Sequence, residues 1–136
     1  RAGTENVLAI HGFGVHAKIV SRGTVLSVLN EYLESELDKL GNGIRVIGRN
    51  QPRLPNTTNI IHPKLEASTL LIHFDSEGIC VSSGSACSSG KVEVSRTLKA
   101  MEVENAKNAI RISTGWATTK NDVEAFLRAI LKLGNT

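Results

Sequence analysis

Gly78-Ile79-Cys80-Val81-Ser82-Ser83-Gly84-Ser85-Ala86-Cys87-Ser88-Ser89-Gly90 runs from a compact β-branched segment into a stretch of small residues with one thiol in its middle. Ile79 to Val81 predicts a short strand, and Ser82 to Gly90 a Ser/Gly-rich loop leaving its end. Cys80, between two bulky apolar neighbours, reads as a packing residue. Cys87, among serines and glycines, reads as accessible. A thiolate that must approach a substrate sulfur and then leave carrying it needs both exposure and mobility. Composition alone equally allows a Ser/Gly linker with an incidental cysteine.

Outward from this segment, strands and helices alternate. Downstream, Ser95 predicts the cap of a short helix through Met101. Ala109 to Ser113 alternates Ile110 and Ile112 with Arg111 and Ser113, as a half-buried strand does. Thr119 predicts the cap of a last helix with a stripe of Val123, Phe126, Leu127, Ile130 and Leu131. Upstream, the content of 65–75 suits strand or helix, and the Pro63-Lys64-Leu65-Glu66-Ala67 entry favours helix. Thr58 to His62 and Ile44 to Ile47 read as short strands joined through Pro52 and Pro55. Val25, Leu26, Leu29, Tyr32, Leu33, Leu37 and Leu40 form one helical stripe, ended by Gly41 and Gly43. Val7, Leu8, Ile10, Phe13 and Val15 predict a first helix over 5–21, with Thr4 as its N-cap and Glu5 in its first turn. The expected fold is a small α/β sandwich.

The 136 residues suffice for one core without disulfides or metals. The net charge of +3 comes from basic residues interleaved with acidic ones, and aromatics make up only 4%, which argues against nucleic-acid binding. No apolar stretch is long enough for a bilayer and no signal segment opens the chain, so a cytoplasmic protein is expected. Cys80 and Cys87 make no disulfide framework, and no CxxC or Cys/His spacing suits a structural metal. Arg1 has no methionine before it, so the sequence reads as the continuation of a longer one.

Arg111 stands on the strand face opposite Ile110 and Ile112. A guanidinium on a stiff strand offers a fixed fork for a carboxylate, such as that of an amino acid. Taken alone, it is more often a surface arginine in a solvated ion pair.

The segment 78–90 closely resembles the catalytic loop of the NifS/IscS class of cysteine desulfurases, pyridoxal-phosphate enzymes of the class-V aminotransferase family, in which SSGSAC is followed by a small polar residue. Three more stretches agree in order and spacing. Arg1-Ala2-Gly3-Thr4-Glu5-Asn6 resembles the family's RxGT segment, Pro55-Asn56-Thr57-Thr58-Asn59-Ile60 its PNT.N strand, and Ile110-Arg111-Ile112-Ser113 its IRxS strand. The resemblance covers essentially the whole chain. It implies the small C-terminal domain of a fold-type-I pyridoxal-phosphate transferase: residues 1–22 a linking helix from the large cofactor-binding domain, residues 23–136 a short sheet packed with helices.

Carried over position by position, the resemblance makes Cys87 the persulfide-forming cysteine and Arg111 the anchor of the substrate carboxylate. Thr4 becomes a contact to the cofactor phosphate of the neighbouring subunit in a homodimer, a role suited to a hydroxyl near a helix N-terminus. L-cysteine would yield L-alanine, with the cofactor as electron sink. The sulfur on Cys87 would pass to an iron–sulfur scaffold or another acceptor protein, and a nascent cluster passing Cys87 is the one metal contact implied.

Two other readings remain: a non-enzymatic sulfur carrier or interaction module, and a selenocysteine lyase. The chain departs from the family at Val92-Glu93-Val94-Ser95, which lacks the usual proline of a Leu-x-Pro-Ser turn, and at Trp116, read as a packing aromatic. It also lacks the Ser-x-His-Lys segment that carries the cofactor lysine. His11, His16, His62 and His73 are followed by Gly12, Ala17, Pro63 and Phe74. The chain by itself is therefore expected to be inactive.

Overall fold

The computed structural model describes residues 3–20, 24–84 and 94–134. Helix α1 (Val7–Val20) starts two residues later than expected. Asn6, not Thr4, is its cap: the Ala9 N–H donates to Asn6 Oδ1 at 3.0 Å. Asparagine ranks at least as high as threonine in this role, and the Val7 start leaves Glu5 outside the first turn. Leu8 is 87% and Phe13 76% exposed, so the apolar residues of α1 lie outside the core.

Helix α2 (Thr24–Lys39) buries Leu33 and Leu37, with Leu29, Tyr32 and Leu40 half-buried beside them. Gly41, at φ 58°, then takes a backbone conformation that side chains resist, and the helix stops. Next come β1 (Arg45–Ile47), β2 (Thr57–Ile61), α3 (Ala67–Ser76) and β3 (Ser82–Ser83). They are followed by α4 (Arg96–Ala100), a 3-10 turn (Ala106–Asn108), β4 (Ala109–Ser113) and α5 (Lys120–Leu133). The strand expected at Ile79 to Val81 is instead an unpaired approach to β3, because ladder bonds to β4 begin only at Ser82.

Among the described residues the strand order is β1-β2-β4-β3, every neighbouring pair antiparallel. β4, last in sequence, thus lies inside the sheet between β2 and β3. Side chains alternate across a strand, so Ile60 and Ile110 point to one face and Ile61, Ala109 and Arg111 to the other. The first face meets α2, α3 and α5 in the main core, where Phe74 stacks on Phe126 with centroids 4.7 Å apart. On the second face Leu98 of α4 forms a small cluster with Ile61 and Ala109, with Ile47, Val103 and Ala106 half-buried against it.

Two local devices fix the frame around the core. The Asp122 N–H donates to Thr119 Oγ1, and the Thr119 N–H donates to Asp122 Oδ2 at 2.8 Å, a capping box that starts α5 and holds the Asp122 carboxyl below its usual range. Buried Glu34 accepts from Thr58 Oγ1 at 2.8 Å and from Arg53 Nη2 at 2.7 Å, tying α2 to β2 and to the connection before it.

His62, just past β2, is buried and accepts the N–H groups of Lys64 and Leu65 on Nδ1 at 3.2 and 3.0 Å. Burial first, and the Lys64 charge second, push its pKa below the ordinary value of 6.5. With the folded pKa depressed, the folded state binds fewer protons. The neutral ring's contribution is therefore complete above 6.5 and is lost as pH falls below it. Thermal melts at stepped pH are expected to show Tm falling from pH about 7 to about 5, and His62→Gln is expected to flatten that slope.

Candidate active site

β4 is flanked on both edges, which gives the residues on its open face a stiff mount. Arg111 occupies its centre. The ladder sets it opposite Asn59 in β2 and opposite Ser82 in β3, so the three side chains form one row across three strands. Arg111 Nη2 donates to Ser82 Oγ at 3.4 Å, a long bond on an exposed guanidinium, and Ser82 Oγ donates to the Ser83 carbonyl at 3.2 Å. The remaining donors of the guanidinium meet no acceptor among the described residues, which leaves an exposed positive centre suited to a carboxylate. Asn59 Oδ1 is buried and meets no donor among the described residues. A buried acceptor left unmet costs about 1–3 kcal/mol.

Ser82 also begins the route to the cysteine loop. Gly84 packs so closely on Ser95 that a Cβ built there would stand 2.6 Å from Ser95 Cβ. Glycine is therefore required by space at this point, and the feet of the segment, Gly84 and Ser95, are pinned together. Ser95 caps α4, accepting the Leu98 N–H at 3.4 Å, so the helix start is secured without the missing proline. Cys87 itself lies outside the described residues. Its distance in sequence from Ser82 limits its reach from the Arg111 row to about 17 Å of fully extended chain.

Thr4, the other expected site residue, is exposed and enters no hydrogen bond or ion pair among the described residues. Nothing in the described structure joins it to Arg111. Two expectations need correction. Cys80 is exposed, because the extended approach to β3 turns Ile79 and Val81 toward the core and the residue between them outward. Trp116 is 93% exposed on a turn closed by the Thr118 N–H to the Gly115 carbonyl at 3.0 Å, and it packs no core. The resemblance places Asn59 at the end of the PNT.N stretch and assigns it no role. Its alternation with buried Thr58 and Ile60 was the available signal that it shares a face with Arg111. Among the described residues no group of His, Cys, Asp or Glu could hold a metal, and no helix is long and apolar enough to cross a membrane.

The small antiparallel sheet with helices packed on one face is shared with solved structures of NifS-like proteins. The chain overlays one from Rickettsia africae with a TM-score of 0.82 and 40% identity, covering 100% of this chain and 37% of that one. The aminotransferase class-V family model matches residues 1–126, and the chain belongs to that family. It is 40% identical over 135 residues to a cysteine desulfurase of Gluconacetobacter diazotrophicus, covering 93% of this chain and 34% of the relative. Against the cysteine desulfurase NifS of Azotobacter vinelandii it is 34% identical over 137 residues, covering 96% of this chain and 34% of that protein. The chain thus spans about a third of the length of these curated relatives.

Proposed function

We propose that the chain is the C-terminal part of a cysteine desulfurase, with residues 1–22 linking it to a cofactor-binding domain and residues 23–136 forming the small domain. The observation that carries the reading is the placement of Arg111 at the centre of an open sheet face, hydrogen-bonded to the first residue of the strand that leads into the Cys87 loop.

In this reading Arg111 grips the carboxylate of L-cysteine and so orients its side chain. The Cys87 thiolate attacks the substrate sulfur and a sulfur–sulfur bond forms. The substrate carbon–sulfur bond breaks, alanine leaves after protonation at that carbon, and a persulfide remains on Cys87. Pyridoxal phosphate, when bound, supplies the electron sink for this cleavage. Thr4, an exposed residue whose hydroxyl has no partner among the described residues, would contact the phosphate of that group from the second subunit of a homodimer. The chain by itself is inactive, since no histidine–lysine pair is present to carry the cofactor. The sulfur then goes to an acceptor protein in the cytoplasm, an iron–sulfur scaffold among them.

Arg111→Ala in the complete enzyme is expected to raise KM for L-cysteine about 10- to 100-fold, the worth of a charged hydrogen-bonded contact, with a smaller effect on kcat. Steady-state alanine formation measures this, and an unchanged KM would remove Arg111 from the carboxylate.

A further inference from the structure

We infer that Asn59 is a positioning residue for Arg111, an inference that rests on the desulfurase reading above. Residues directly opposite in an antiparallel ladder have Cβ atoms about 4.5–5.5 Å apart, so an asparagine and an arginine paired across β2 and β4 are within reach of each other. Asn59 Oδ1 is buried without a donor among the described residues, while Arg111 beside it has donors to spare and spends one on a 3.4 Å bond to Ser82 on its other flank. Native structures seldom keep a buried acceptor empty, and such an atom marks a place where a donor arrives.

The one charged donor set in the row is the guanidinium. When a carboxylate draws its fork into plane, the amide oxygen of Asn59 takes an N–H from the β2 side as Ser82 steadies it from the β3 side. A guanidinium with four rotatable bonds behind it would otherwise sample many orientations, and the two neighbours select the one that presents both donors to the substrate. Asn59 thus acts on binding through Arg111 and takes no part in the sulfur chemistry.

The complete desulfurase containing this chain provides the test, with L-cysteine and its methyl ester, which lacks the carboxylate, as parallel substrates. Asn59→Ala is expected to raise KM for L-cysteine about tenfold with kcat changed less than about twofold, to leave KM for the ester unchanged, and to add nothing in an Arg111→Ala background. Asn59→Leu, similar in size but without an acceptor, answers the same question should the alanine variant not fold. An unchanged KM for L-cysteine, an equal rise on both substrates, or an undiminished effect in the Arg111→Ala background would each overturn the role. A wild-type enzyme that does not consume L-cysteine would instead overturn the desulfurase reading, a result distinct from silent Asn59 variants in an active enzyme.

Discussion

Cys87→Ser in the complete enzyme is expected to abolish alanine formation from L-cysteine, by at least about 10³-fold, while substrate binding persists. The argument is chemical. A serine hydroxyl stays protonated at neutral pH and is a poor nucleophile toward sulfur, whereas a cysteine is partly thiolate and intrinsically reactive. The attack also has to produce a group that can release sulfur again, which a persulfide does by thiol exchange and an oxygen–sulfur bond would not do in the same way. Binding survives because the carboxylate grip is assigned to Arg111 on β4. Single-turnover alanine measurement, with substrate binding followed separately, checks both halves. Retained sulfur transfer to an acceptor by the serine variant would contradict the role of Cys87.

The largest effect on stability is expected at Phe74. Its side chain is fully buried in α3, stacked on Phe126 of α5 at an interplanar angle of 10°, with the His73 ring edge-on at 5.4 Å. Phe74→Ala removes the wedge that joins two helices to the sheet and leaves a cavity that the stiff strands cannot close. The cost should be about 3–5 kcal/mol, a large part of the stability of a domain this size. Chemical denaturation followed by the helical signal measures it, and a loss below about 1 kcal/mol would mean that the core is not organised around this pair.

Much of this architecture was legible in the sequence where local chemistry decides it. The last helix announced itself through Thr119 and the Val123, Phe126, Leu127, Ile130 and Leu131 stripe, and the structure shows the capping box and buries every residue of that stripe except Leu131, which is exposed. The alternation about Arg111 gave an open arginine on a strand. Choices among similar local options were harder: Thr4 and Asn6 are both good caps, and only the bond to the Ala9 N–H separates them. Cys80 misled because apolar neighbours in sequence are not neighbours in space when the chain is extended. Least legible was the row Asn59-Arg111-Ser82, which exists because β4 inserts between β2 and β3. No periodicity encodes that register, so Asn59 acquires its meaning only from pairing across strands far apart in sequence.

The most direct test of the account is the mass of the Cys87 peptide after the complete enzyme has met L-cysteine without an acceptor, together with the alanine released. The account predicts alanine in step with the gain of one sulfur atom on Cys87, reversed by a thiol reductant. Alanine release with the sulfur on another residue, or no alanine from an enzyme loaded with its cofactor, would contradict it.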